Sequence, residues 1–201
     1  MKINNMCWKH IFRVIASSIL LIGIIFSINS CNQFRANIEF DKAAGYNGGF
    51  EVVKKGLPVN WLFTAESNQL YSDFEVISDS LDFREGKRSV RFSVKNCSDE
   101  GGWKSPGFGN EFYGTGKFIG PAEYRVRLWV KSKKSTARFT VYGVSQGNIY
   151  SRLAWEIINA TEWKQLEYKV RLSAENWLRV ELEILKPGEF WVDDIQITKL
   201  N

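Results

Sequence analysis

Histidine is nearly missing from this 201-residue chain: the single one, His10, lies close to the N-terminus. Cysteine is scarce too, with Cys7, Cys31 and Cys97, and there are only 4 prolines and 2 methionines. The first thirty residues contain no acidic side chain. Each scarcity excludes something. If the N-terminal segment is removed, the rest has no Ser-His or Cys-His dyad and no histidine-ligated zinc. With Cys31 otherwise committed, Cys97 stands alone, and no intramolecular disulfide can form. Cys97 then reads as a small buried hydrophobe or a loop thiol. Low proline and moderate glycine argue against a disordered or linker protein.

Residues 1–30 read as an address. A basic start (Lys2, Lys9, Arg13) precedes an interrupted apolar run from Val14 to Ile28, the pattern of a secretory signal; the other reading is an uncleaved anchor helix. Ile28-Asn29-Ser30-Cys31 resembles a bacterial lipobox, which would make Cys31 the lipidated first residue of the mature chain. Residues 31–44 then form a tether and residues 45–201 the domain. Either reading places the domain outside the cytoplasm, lipid-anchored or helix-anchored in a bacterial envelope, with outer membrane or cell surface expected. Three of the 27 basic residues lie in the address, leaving 24 against 22 acidic ones. A nearly neutral domain gives no reason to expect nucleic acid.

What the chain does have is aromatics, 14% of it with eight Trp, and period-two alternation. Strands are predicted at Phe50–Val53, Phe74–Ile77, Ser89–Val94, Glu123–Lys131, Arg138–Val144, Leu153–Ile158, Trp163–Val170, Trp177–Leu185 and Glu189–Ile197. Tyr124, Val126, Leu128 and Val130 share one face of their strand; Arg125, Arg127, Trp129 and Lys131 share the other. Residues 56–61 and 82–88 read as turn and loop, and the glycine- and aromatic-rich stretch 96–120 as one long loop. No 3.6-residue stripe interrupts this. The fold class is all-β: two antiparallel sheets packed face to face, a jelly roll.

Adjacent carboxylates in the last strand, Asp193 and Asp194, are costly unless compensated, so one of them needs a cation or several donors. Glu51, beside Gly48-Gly49, is a second source of hard oxygen. A calcium site and an ordinary salt bridge both fit this spacing.

Asn47-Gly48-Gly49-Phe50-Glu51, Leu57-Pro58-Val59-Asn60-Trp61, Gly86-Lys87-Arg88-Ser89, Tyr124 to Lys131, Glu162-Trp163-Lys164 and Trp191-Val192-Asp193-Asp194-Ile195 occur in that order. Together they resemble the galactose-binding-domain-like carbohydrate-binding modules, jelly rolls appended to many bacterial glycanases. The resemblance covers residues 45–199. It implies a structural calcium shared by the first and last strands: Glu51 and one Asp of the pair, Asp194 rather than Asp193, with backbone carbonyls near Gly49 and Lys87. It also implies that Trp61, Trp163 and Trp191 are packing residues.

Sugar binding needs flat aromatic faces and planar polar groups. Trp103 in the glycine-rich stretch, Arg127 and Trp129 on one strand, and Tyr142 on the next are the expected ligand set. An outward Trp129 can instead be stacked under an arginine or covered by a loop; Trp155 and Trp177 fit either packing or binding. A glycanase strand of the form Glu-x-Asp-x-x-Glu would need Glu where Ala44 follows Glu39 and Asp41, and lyases of this fold commonly use histidine. The expected function is therefore non-catalytic capture of a polysaccharide or oligosaccharide. The rival is a structural or protein-assembly module of the envelope.

Overall fold

A computed structural model describes residues 39–64, 72–102, 105–111 and 117–200. The chain divides into two compact units, Met1–Phe34 and Arg35–Asn201, and all described residues belong to the second. Cys31 and Trp103 lie outside the described residues.

The strands are β1 (Val53–Lys54), β2 (Leu57–Pro58), β3 (Leu62–Phe63), β4 (Asp73–Asp79), β5 (Ser89–Asn96), β6 (Gly107–Glu111), β7 (Ala122–Lys133), β8 (Thr136–Ser145), β9 (Ile149–Ile158), β10 (Lys164–Leu172), β11 (Trp177–Lys186) and β12 (Gly188–Lys199). A 3-10 turn at Lys42–Ala44 precedes them. Two five-stranded antiparallel sheets result, β10-β7-β12-β5-β4 and β3-β6-β11-β8-β9, with β1-β2 as a separate hairpin. This is the jelly-roll sandwich that the alternation predicts.

The pleat decides which residues are dry. In β7, Tyr124, Val126, Leu128 and Val130 are buried, while Arg125, Arg127, Trp129 and Lys131 line the outside. In β11, Leu178, Val180, Leu182 and Ile184 are buried against them. The sheets meet through aromatics. Phe108 of β6 stacks on Phe92 of β5 (centroids 6.0 Å apart) and meets Trp61 edge-on at 5.1 Å. Each such ring removes enough apolar area from water to contribute about 2–3 kcal/mol.

Two expectations need correcting. The stretch 96–120 is not one loop, because residues 107–111 form β6, an interior strand between β3 and β11. Glycines at 107 and 109 hid its alternation, yet Phe108 carries the inward position. Phe50 is not in a strand. It takes φ +58° in a turn and buries its ring completely, and the first pairing begins at Val53.

Candidate functional site

Three regions could carry function, and the packing distinguishes them. The first is the corner where the segment after Gly45 meets β12. Asn47 organises it: with φ +52°, its Nδ2 donates to the carbonyls of Val52 (2.8 Å) and Val59 (3.1 Å), and its Oδ1 accepts from Val52 N–H. Gly48 must be glycine, because a Cβ there would stand 2.0 Å from the Ile195 carbonyl oxygen. Ile195 N–H in turn donates to Gly48 O at 2.9 Å. Opposite, β12 bulges between Asp193 and Gln196, with Asp194 at φ +47°.

That bulge separates the two carboxylates. Asp193 is fully buried, but on the outer side of its sheet beneath the loop after β4, not in the core. It accepts three backbone N–H groups, from Arg84 (2.8 Å), Glu85 (2.9 Å) and Asp194 (2.7 Å). Even so, burial, with the neighbouring Asp194 charge, pushes its pKa up to about 6. Burial also raises Asp194, which Gln196 partly offsets and the charge of Glu85 reinforces. Glu51 accepts from the N–H groups of Lys87 (2.8 Å) and Arg88 (3.2 Å) through one oxygen. The second oxygen of Glu51 and Oδ1 of Asp194 take no donor among the described residues.

A calcium ion fits this corner in its chemistry. Carboxylates with free lone pairs, Glu51 and Asp194, sit beside a turn whose backbone is bent through Asn47 and Phe50. Asp193, saturated by N–H donors, suits a buttress rather than a ligand. Among the described residues no three acidic, His or Cys side chains converge at metal-holding distance. Carbonyls and water would therefore have to complete any shell.

The second region is the outer face of the first sheet, which the loop from Ser80 to Arg88 covers around Trp129 and Trp163, leaving Gln165, Glu167 and Lys169 of β10 exposed. Asp79 accepts from Leu81 N–H (2.8 Å) and the Trp191 indole (3.0 Å). Burial alone would raise Asp79, but these donors, with Asp82 N–H and Arg91, bring it below its ordinary value. Asp82 accepts from the Trp163 indole (3.0 Å) and Lys131 Nζ (2.8 Å). Arg84 then lies over Trp129, its guanidinium carbon 4.4 Å from the ring centroid. Arg127 is held by Glu167 at 2.6 Å, as is Arg125 at 3.4 Å. Trp129 is thus both stacked and covered, the alternatives to an open platform.

The third region is the outer face of the second sheet. Tyr142 projects here, on the opposite side of the sandwich from Arg127 and Trp129, so the structure divides the expected ligand set. Register places Arg179, Tyr142 and Arg152 in one cross-strand row, Glu181, Thr140 and Trp155 in the next, and Glu183, Arg138 and Ile157 in a third. Tyr150 meets Tyr142 edge-on at 5.7 Å. Trp155 is 51% exposed and Tyr150 45%, so this face offers open aromatic surface. Its polar groups are fixed in place. Arg138 clamps Glu183 (Nε 2.8 Å, Nη2 2.7 Å), and Glu183 also accepts Gly102 N–H. Arg179 Nε donates to Glu181 at 2.7 Å. The buried Thr140 hydroxyl has no hydrogen-bond partner among the described residues. Trp155 falls on a strand whose alternation a bulge breaks, between Val141 and Tyr142 of its neighbour, which is why the sequence left its role open.

No protein-family model and no characterised protein sequence matches the chain. Solved structures do. The CBM22-1 xylan-binding domain of a Paenibacillus barcinonensis protein aligns at TM-score 0.54 and 16% identity, over 77% of this chain and 92% of that one. The CBM22-1 and GH10 modules of a Clostridium thermocellum endo-1,4-beta-D-xylanase, complexed with xylohexaose, align at TM-score 0.51 and 18% identity over 70% of this chain. The enzymatically active domain of tailspike protein 4 of bacteriophage CBA120 aligns at TM-score 0.57 and 12% identity over 76% of this chain. This chain spans about a quarter (26%) of the xylanase chain and a fifth (20%) of the tailspike chain. The fold is that of carbohydrate-binding modules, jelly-roll β-sandwiches.

Proposed function

We propose that this chain is a non-catalytic glycan-binding module, held at a bacterial envelope through a lipid on Cys31 and stabilised by calcium. The observation that carries the reading is the outer face of the second sheet. Two exposed rings, Trp155 and Tyr150, with half-buried Tyr142 beside them, stand next to carboxylates and guanidiniums locked in pairs. Pyranose rings stack on such aromatics through their C–H faces, and pre-fixed planar polar groups take the hydroxyls without losing rotamer entropy on binding. The likeness to modules described as xylan-binding supports the same reading. The ligand set is moved accordingly, from Arg127 and Trp129 to the face that holds Tyr142.

Glu51 and Asp194 would hold the calcium with carbonyls near Gly49 and Lys87, and the ion would neutralise the Asp194 charge that adds to burial in raising Asp193. The rival, a protein-assembly module, is favoured by Ile149 and Ile157, exposed on the edge strand β9. Retention of the full chain in detergent on immobilised plant, algal, host and bacterial polysaccharides, with calcium, separates the two. The glycan reading expects retention by one polysaccharide class. Retention by none, with capture of an envelope protein instead, would favour the rival.

A further inference from the structure

Among the described residues the second sheet's outer face carries three guanidinium groups, and they are not equivalent. Arg138 is neutralised by Glu183 and Arg179 by Glu181. Arg152 has no carboxylate partner among the described residues. It stands exposed on β9, opposite Tyr142 in the register, with its guanidinium carbon 5.5 Å from the Trp155 ring centroid. The clamped groups have little left to offer a charged ligand, whereas Arg152 keeps its full fork of donors beside the most exposed aromatic of the face. A sugar stacked on Trp155 would bring a ring substituent to that fork.

We propose that Arg152 makes this face selective for glycans bearing an anionic substituent, a carboxylate or a sulfate ester. The inference rests on the glycan reading and deepens it. A planar guanidinium pairs two oxygens of such a group at once, which gives orientation as well as charge recognition. A neutral glycan leaves Arg152 in water at no cost, so selectivity arises by addition to the stacking and hydroxyl contacts. Because the pair would sit at an exposed site, added salt must weaken it.

The test uses matched polymers: a glucuronoxylan and its carboxyl-reduced form, and a sulfated galactan and its desulfated form. Each is run against the full chain in detergent with calcium. At low salt the acidic form of at least one pair should bind several-fold tighter than its neutral form, and which pair it is names the anion. That ratio should shrink toward one as sodium chloride rises. Arg152→Gln should bring it to one at low salt, and Arg152→Lys should restore only part. Equal binding within both pairs overturns the proposal while leaving the glycan reading standing, as does a ratio that survives Arg152→Gln. Binding to none of the four polymers overturns both.

Discussion

A methyl group at position 48 would stand 2.0 Å from a backbone oxygen of β12, and one at position 86 would stand 2.2 Å from Oε1 of Glu51. Backbone oxygen cannot yield as a flexible side-chain end can. Gly48→Ala should therefore cost about 1–3 kcal/mol or more, read as a lower urea midpoint. The neighbouring carboxylates give a second prediction. Asp193 has its pKa raised to about 6 in the folded state, from an ordinary 3.8. The native state thus holds the extra proton between about pH 4 and 6. Without metal, this group's stabilising contribution is full below its unfolded pKa and is lost as pH rises through the folded value; the loss is of order 3 kcal/mol. Calcium held by Asp194 should offset the part of that loss that comes from the Asp194 charge, so its increment in Tm should be larger at pH 7.5 than at pH 5. Glu51→Gln and Asp194→Asn should each remove most of the increment. An increment independent of both pH and these substitutions would mean the corner holds no ion. The cost of the Asp pair was legible in the sequence; the bulge that buries one under a loop and turns the other to the corner was not.

Strands with one dry face announce themselves, as β7, β8 and β11 do, because burial of alternate residues is what the pattern records. Sheet membership is a different matter. β7 and β8 are consecutive and both legible, yet they lie in opposite sheets, and nothing in a two-residue period encodes that crossover. Trp129 and Tyr142 therefore read as neighbours and are not. β6 was missed because glycine supplies no outward side chain to alternate with Phe108. Its energetic role is nevertheless central: Phe108→Ala should cost about 3–5 kcal/mol by opening a cavity between Phe92 and Trp61. The loop over the first sheet is held by Asp79, Asp82 and Asp193, three carboxylates distant from most of their partners in sequence. Asp82→Ala should lower Tm without changing glycan retention, since it releases Trp163 and Lys131 on the covered face.

At the scale of the molecule, the loop after β4 covers the Trp129 part of the first sheet's outer face, whereas the second sheet's outer face has exposed aromatics beside fixed polar groups. That asymmetry assigns the binding face, because the fold alone does not determine what is bound. The most direct measurement compares Trp155→Ala with Trp129→Ala for retention on whichever polysaccharide retains the wild-type chain, with Tm recorded for both. Loss of a stacking platform should weaken retention about tenfold or more in Trp155→Ala with little change in Tm. Trp129→Ala should lower Tm, by freeing Arg84, and leave retention intact. The reverse pattern, retention surviving Trp155→Ala and failing in Trp129→Ala with Tm unchanged, would contradict the assignment of the binding face.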